Sequence, residues 1–431
     1  MHLTPEPNDT FHLRDKGFSN GTETKDLPRH RWYFVKEAFS PTLVNCAIAD
    51  AQLSDSDAVI DPFSGSGTSA LVAASTGHNS SVFEVNPFLA FITRTKTSSI
   101  NIAQVYGHIS GFFKAIKKER KSPLENFSTF CESAALKKWL FNKQVLRFFE
   151  GGWIYTLQLR GSTKDFFQLA LIGAAMDTCN ARHDGKCLRY RKDWLTIGFS
   201  GADFITALKT RIDAMLVDCS LMHRLPKKPV IYVGDVRQRL KAAYNSGIKF
   251  KLCITSPPYL NSFDYSDVYR PELFLGKFIS NNTELMSLRL KTVRSHVQAS
   301  WPHPTEQAFG QLYTKTIEEV KARIEFLWDK RIPLMIQAYF EDISSILRSL
   351  RIIAQADAQL WMVVSTSAYA GIEVPVDLII AEIGCRTGWY LREVGVLRYL
   401  RAAGQHWKQW ADFGTPKPKL RESVVIFSAR P

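Results

Sequence analysis

The sequence has no CxxC pair among its seven cysteines (Cys46, Cys131, Cys179, Cys187, Cys219, Cys253, Cys385). Scattered and odd in number, they support neither a zinc site nor a disulfide framework, so no metal is expected and the thiols read as reduced and mostly buried. No apolar run approaches membrane-spanning length, and Met1-His2-Leu3-Thr4-Pro5-Glu6 lacks the apolar core of a signal peptide. The expectation is a soluble intracellular protein with no membrane partner. Internal repeats and low-complexity tracts are missing as well. Acidic residues are in deficit: 41 Asp and Glu stand against 55 Lys and Arg, a net charge of +14. A field of that sign favours a polyanion, nucleic acid by default, without separating DNA from RNA.

What is present suits a well-packed globular chain. At 431 residues, with 45% hydrophobic and 12% aromatic content, it has room for one large domain with insertions or for two domains. The most informative stretch runs from Phe250 to Tyr259. Phe250, Leu252 and Ile254 read as a buried strand, which Pro257 and Pro258 stop. Each proline fixes φ and removes a donor, so the carbonyls of Ser256 and Pro257 are left over at a stiff corner, beside the Ser256 hydroxyl and the Tyr259 ring. At a strand end of an open α/β sheet, such groups lie where ligands bind. Acceptors that hold both N–H bonds of an exocyclic base amine would aim its lone pair at an electrophile, and Tyr259 could stack on a base swung out of the helix. The plainer alternative is a strand-exit turn without chemistry.

A second anchor lies upstream. Ala58-Val59-Ile60-Asp61 reads as a strand running into Pro62-Phe63-Ser64-Gly65-Ser66-Gly67-Thr68 and then a helix. Gly65-x-Gly67-x-x-Ala70 fits a dinucleotide-type fingerprint, with one glycine for the turn and one for close approach. The next strand ends at Glu84, where an acid would meet ribose hydroxyls. A further strand, Val230 to Val233, ends near Asp235, which could take an adenine amino group or simply cap the helix after it.

Between these anchors the α/β alternation fades. Apolar periodicity predicts helices over 105–116, 134–149, 166–176 and 204–222. Arg182-His183-Asp184-Gly185-Lys186-Cys187-Leu188-Arg189-Tyr190-Arg191-Lys192 is a basic loop interleaved with aromatics, suited to phosphate contact through Arg182, Lys186, Arg189, Arg191 and Lys192, or else a solvated charged surface. A second basic loop near 280–305 carries Arg289, Lys291 and Arg294. The expected organisation is a flexible N-terminal arm (1–28), a cofactor-binding half (29–100), a helical insertion (101–228) and a catalytic half (229–431). A helix near 330–350, a strand near 359–364 and a terminal antiparallel pair (394–397 with 421–427) complete the prediction.

With both anchors in view, the chain resembles the amino-methyltransferases of DNA, the N4-cytosine and N6-adenine family that uses S-adenosylmethionine. The match covers two blocks, roughly 29–96 and 230–431. Asp61-Pro62-Phe63-Ser64-Gly65-Ser66-Gly67-Thr68 is similar to the cofactor loop, Glu84 with neighbouring Asn86 to the ribose end, and Asp235 to the adenine-side acid. The stretch around Phe34-Val35 and Phe39-Ser40-Pro41 resembles the element that closes over the methionine part. Ser256-Pro257-Pro258-Tyr259 resembles the catalytic motif.

The resemblance implies a Rossmann-like class I methyltransferase sheet, an α/β fold with a terminal antiparallel hairpin and a mostly helical insertion. It implies S-adenosylmethionine as cofactor and double-stranded DNA with a flipped base as substrate. A cytoplasmic bacterial or archaeal restriction-modification or phage-defence setting follows, with any nuclease a separate protein. Serine at the first catalytic position is commoner among cytosine-N4 enzymes, and adenine N6 is the alternative. Many serine-type members, however, carry the catalytic motif before the cofactor motif, the reverse of the order here. No Pro-Cys pair occurs, which sets the chain apart from cytosine-C5 enzymes. An RNA base methyltransferase shares the catalytic logic. A nicotinamide oxidoreductase would explain the glycine turn and Glu84 but neither the Ser-Pro-Pro-Tyr corner nor the charge. A non-catalytic nucleic-acid-binding protein would explain the charge but not the competent residue at every demanding position.

Overall fold

A computed structural model of the chain describes residues 6–14, 18, 20–184, 188–400 and 419–431. Among these, seven strands form one mixed sheet: β1 (Ala58–Asp61), β2 (Asn79–Glu84), β3 (Val230–Val233), β4 (Phe250–Thr255), β5 (Ala354–Ser365), β6 (Tyr390–Tyr399) and β7 (Arg421–Ser428). Their order is β6-β7-β5-β4-β1-β2-β3. The five strands from β3 to β5 run parallel, and β7 inserts antiparallel between β5 and β6. Strands buried on both faces must be apolar throughout. Accordingly Val59, Ile60, Leu252, Cys253 and Ile254 have no exposed surface. This is an α/β fold of Rossmann-like order with a terminal antiparallel hairpin.

The sequence of connections fixes where a ligand can sit. From β1 the chain passes through the helix Thr68–Ser75 to β2 on one side. From β4, its other neighbour, it passes through the helix Ile332–Ile353 to β5 on the opposite side. The chain therefore diverges between β1 and β4, which pair at Val59 with Leu252 and Ile60 with Cys253. A crevice opens outside the carboxyl ends of strands at such a switch point. The glycine turn leaves one of these two strands and the Ser-Pro-Pro-Tyr corner leaves the other.

The insertion is helical as expected over Ile102–Ile116, Gly161–Asp177 and Gly201–Leu221. The helix predicted over 134–149 instead spans Lys143–Thr156. Residues ahead of it turn back to bridge Cys131 with Phe141, a tertiary pairing that overrides local periodicity. A short ribbon pairs Ala181–His183 with Leu188–Tyr190. Phe112, Phe149 and Phe166 of the insertion share one apolar cluster with Trp32, Phe88 and Leu273 from the flanking halves.

The N-terminal stretch, expected from its polarity to be a flexible arm, makes packed contacts at the described residues. Asn8 exchanges backbone hydrogen bonds with Val394 and Val396 of β6 at 2.9 and 2.7 Å, while Phe11 and Phe18 are buried. Phe11 packs where Gly395 has no side chain. An otherwise open sheet edge is thereby covered. No helix among the described residues is long and apolar enough to cross a membrane.

Candidate active site

The glycine turn is held by a carboxylate that does not face the cleft. Asp61, at 0% exposure, accepts hydrogen bonds from the Phe63 amide at 2.9 Å, the Thr255 hydroxyl at 2.7 Å and the Ser69 hydroxyl. Burial raises its carboxyl to about 6 against these three donors. Asp61 thus bolts the end of β1 to the end of β4, and Pro62, Phe63, Ser64, Gly65, Ser66 and Thr68 line the cleft in its place. Asp61, expected among the cofactor contacts, is therefore placed behind the cleft wall rather than in it. Gly67 (φ +81°) also stands behind the cleft wall, because a Cβ there would meet the Thr93 side chain at 2.7 Å. Gly65 (φ +49°) borders the cleft, and its amide donates to Glu84 at 2.7 Å.

Glu84 ends β2 and lines the cleft, only 7% exposed. Its second oxygen accepts from the Asn86 amide at 2.8 Å. Burial outweighs these hydrogen bonds and lifts the carboxyl to about 7. Asn86 caps the helix Pro87–Lys96 through its side-chain oxygen, which accepts from the Phe88 amide. Its Nδ2 is buried without a partner although the residue borders the cleft. A donor left in that position fits a polar ligand.

Two further expectations change. Phe34 does not line the cleft; Lys25 sits over its ring at 4.7 Å, and Val35 to Phe39 form the rim. Asp235 caps the helix Val236–Asn245 and pairs with Arg237 at 2.8 Å, leaving Gly234 and Val236 to line the cleft.

The opposite wall is the Ser256-Pro257-Pro258-Tyr259 corner, all four residues of which line the same cleft. The Tyr259 hydroxyl donates to Glu422, whose other oxygen accepts from Arg398 at 2.6 Å. Burial first, and then the Glu422 charge, hold the phenol well above its ordinary value, so Tyr259 stays neutral. Glu422 and Arg398 come from the terminal hairpin and were missed from the sequence. No local signal marks them, since only strand pairing brings them to the corner. Cys253, buried in β4 with its thiol held well above the ordinary value, is inert. The whole cavity measures about 310 Å³, within the range of small-molecule sites.

The basic residues divide. Arg182 and Arg189 are exposed and face each other across the ribbon, with Arg189 also paired to Asp184 at 2.7 Å. Lys192 is exposed, and Lys291 is exposed at the cleft. Lys186 lies outside the described residues. Three further candidates have internal partners. Arg191 bonds the carbonyls of Cys179 and Asp177, Arg289 pairs with Asp264 at 2.5 Å, and Arg294, 7% exposed, pairs with Glu341 and Asp342.

A glycine turn, an acid at the end of the next strand and a Pro-Pro corner on one cleft at the switch point define a class, that of α/β methyltransferases. No family model matches the chain. Its curated relatives are type II methyltransferases. M.AvaI of Nostoc sp. is 24% identical over 410 residues, 86% of this chain and 81% of that one, and M.AvaI of Anabaena variabilis gives the same figures. M.BsoBI of Geobacillus stearothermophilus is 24% identical over 450 residues, 94% of this chain and 86% of that one. Among solved structures, TrmN from Thermus thermophilus has a TM-score of 0.26 at 9% identity, covering 90% of this chain and 49% of that one. The rRNA methyltransferase aviRa from Streptomyces viridochromogenes has a TM-score of 0.29 at 11% identity, covering 91% and 86%. The fold assignment rests on the sheet order itself. The homology supports a DNA methyltransferase family for this chain, with S-adenosylmethionine as methyl donor.

Proposed function

We propose that the chain methylates DNA at the exocyclic N4 amine of cytosine, with the base flipped into the cleft. The carrying observation is that the glycine turn with Glu84 and the Ser256–Tyr259 corner line one cavity. The donor, when bound, supplies a methyl on an already electrophilic sulfonium, so the protein's task is placement. Pro62 to Ser66, Thr68, Glu84 and Asn86 would hold it, Glu84 accepting from ribose hydroxyls. Ser256 and the Pro257 carbonyl accept the two N–H bonds of the target amine and favour its pyramidal form, leaving the lone pair turned to the donor side. Tyr259, fixed by Glu422, offers its face to the base. No covalent enzyme intermediate is involved.

Serine at position 256 favours cytosine N4. The order of the motifs, cofactor loop first, supports adenine N6 as the second reading. Arg182, Arg189 and Lys192 are the proposed phosphate contacts on the insertion; two arginines opposed across a ribbon leave more positive charge than Asp184 alone offsets, which favours a phosphate there. The reading extends to a restriction-modification role in a bacterial cytoplasm with cleavage by a separate nuclease; what supports it is that the relatives are named type II methyltransferases.

The test is methyl transfer from labelled S-adenosylmethionine to unmethylated DNA, followed by digestion and mass spectrometry of the nucleosides. Label in N4-methylcytosine, lost in Pro257→Ala, is expected. Label in N6-methyladenine would overturn the base assignment, and absence of label with cofactor bound would overturn DNA as the substrate.

A further inference from the structure

The rim of the cleft and the basic ribbon meet in a buried polar cluster that the proposed chemistry does not use. The Tyr33 hydroxyl donates to Oε1 of Glu272 at 2.6 Å, and His183 Nε2 lies 2.7 Å from the same oxygen. Glu272 has no exposed surface, and its Oε2 has no partner. The Tyr269 hydroxyl donates to Glu37 at 2.7 Å, and the Tyr269 ring lies 5.4 Å from that of His183. At the outer end, Lys36 donates to the Asp184 carbonyl at 2.5 Å. Tyr33, Lys36 and Glu37 belong to the rim segment or its root. His183 and Asp184 belong to the ribbon, while Tyr269 and Glu272 belong to the stretch following the catalytic corner.

This arrangement ties three elements to one buried carboxylate. Burying a carboxylate is costly unless a hydrogen-bonded, oppositely charged partner comes with it. His183 is that partner. Burial acts to lower its imidazole, and the Glu272 charge and hydrogen bond more than offset this, so the proton is held above the ordinary histidine value. Residues alternate sides along a strand, so Arg182 points to solvent from the same strand that sends His183 inward. Displacing the ribbon therefore leaves buried Glu272 with the Tyr33 hydroxyl alone, so the load falls on a residue two positions before the rim. A rim seated by its ligand holds the ribbon in return.

We infer that His183 is a positioning residue coupling nucleic-acid contact at the ribbon to placement of the Val35–Phe39 rim around the methyl donor, an assignment that rests on the reading of the chain as a DNA methyltransferase. Such coupling is reciprocal. Calorimetric titration of S-adenosylhomocysteine into the full chain, alone and saturated with sheared unmethylated genomic DNA, measures it. DNA is expected to tighten this binding by about fivefold or more in the unaltered chain. In His183→Ala the tightening falls below about twofold, with the affinity measured without DNA kept within about twofold. His183→Gln, whose amide N–H falls where Nε2 stands, restores it. Lys36→Ala, at an exposed position, reduces the tightening without entering the buried cluster, and serves if the alanine variant at 183 does not fold. Coupling retained in both His183→Ala and Lys36→Ala overturns the assignment, as does equal loss of affinity with and without DNA. Methyl transfer by an unaltered chain that has no coupling removes this assignment alone. No methyl transfer at all removes the parent reading with it.

Discussion

Acidification should weaken cofactor binding through Glu84. Burial lifts this carboxyl from its ordinary 4.5 to about 7, even with the amides of Asn86 and Gly65 donating to it. In the proposed complex ribose hydroxyls donate to the charged form, so binding is favoured as the group ionises. With a folded value of about 7, roughly one molecule in eleven is charged at pH 6 and roughly ten in eleven at pH 8, an affinity ratio of about tenfold. The cofactor-free chain responds in the opposite sense. A carboxyl whose folded value lies above its unfolded one contributes stability in full below the unfolded value, and that contribution disappears as pH rises through the folded value. Glu84 alone would withdraw about 3 kcal/mol between pH 4.5 and 7. The assay is calorimetric titration of S-adenosylhomocysteine across this window in buffers of different ionisation enthalpy. Proton release near pH 6, and a flat profile in Glu84→Gln, are expected. An affinity that is level from pH 6 to pH 8, or tighter at pH 6, would mean that the charged form of Glu84 does not hold the cofactor.

Three other outcomes follow from the same geometry. Tyr259→Phe keeps the ring but deprives Glu422 of its hydroxyl partner, and urea unfolding should show a loss of about 1–3 kcal/mol with methyl transfer reduced rather than abolished. Gly67→Ala brings a Cβ to 2.7 Å from Thr93 Oγ1 at φ +81°, so it should cost about 2 kcal/mol or more by the same measurement. Joint replacement of Arg182 and Lys192 by alanine should weaken DNA binding on all sequences and lower the salt slope by about 2, with the methylated nucleoside unchanged.

The legible parts of the sequence were those where local chemistry has only one backbone solution. Two prolines after an apolar run can only end a strand, and glycines at positive φ after Asp61 can only turn it. Both anchors therefore stand where the pattern put them. Side-chain destinations were less legible because their partners are distant in sequence. Arg294 reads as a free cation until Asp342, on the helix Ile332–Ile353, meets it. Asp61 reads as a ligand until Thr255 arrives from β4. Phe11 and Phe18 look like parts of a polar arm until β6 offers Gly395 as a seat for Phe11, against which Phe18 packs. The hairpin pair Glu422 and Arg398 reaches the corner only through strand register.

The proposed function requires one cleft to bring a methyl donor to the Ser-Pro-Pro-Tyr corner. A crystal structure of the chain with S-adenosylhomocysteine tests it most directly. The ribose is expected within hydrogen-bonding distance of Glu84, with the sulfur turned toward Ser256 and Pro257. Cofactor bound elsewhere, or bound in the cleft with its ribose away from Glu84, would contradict it.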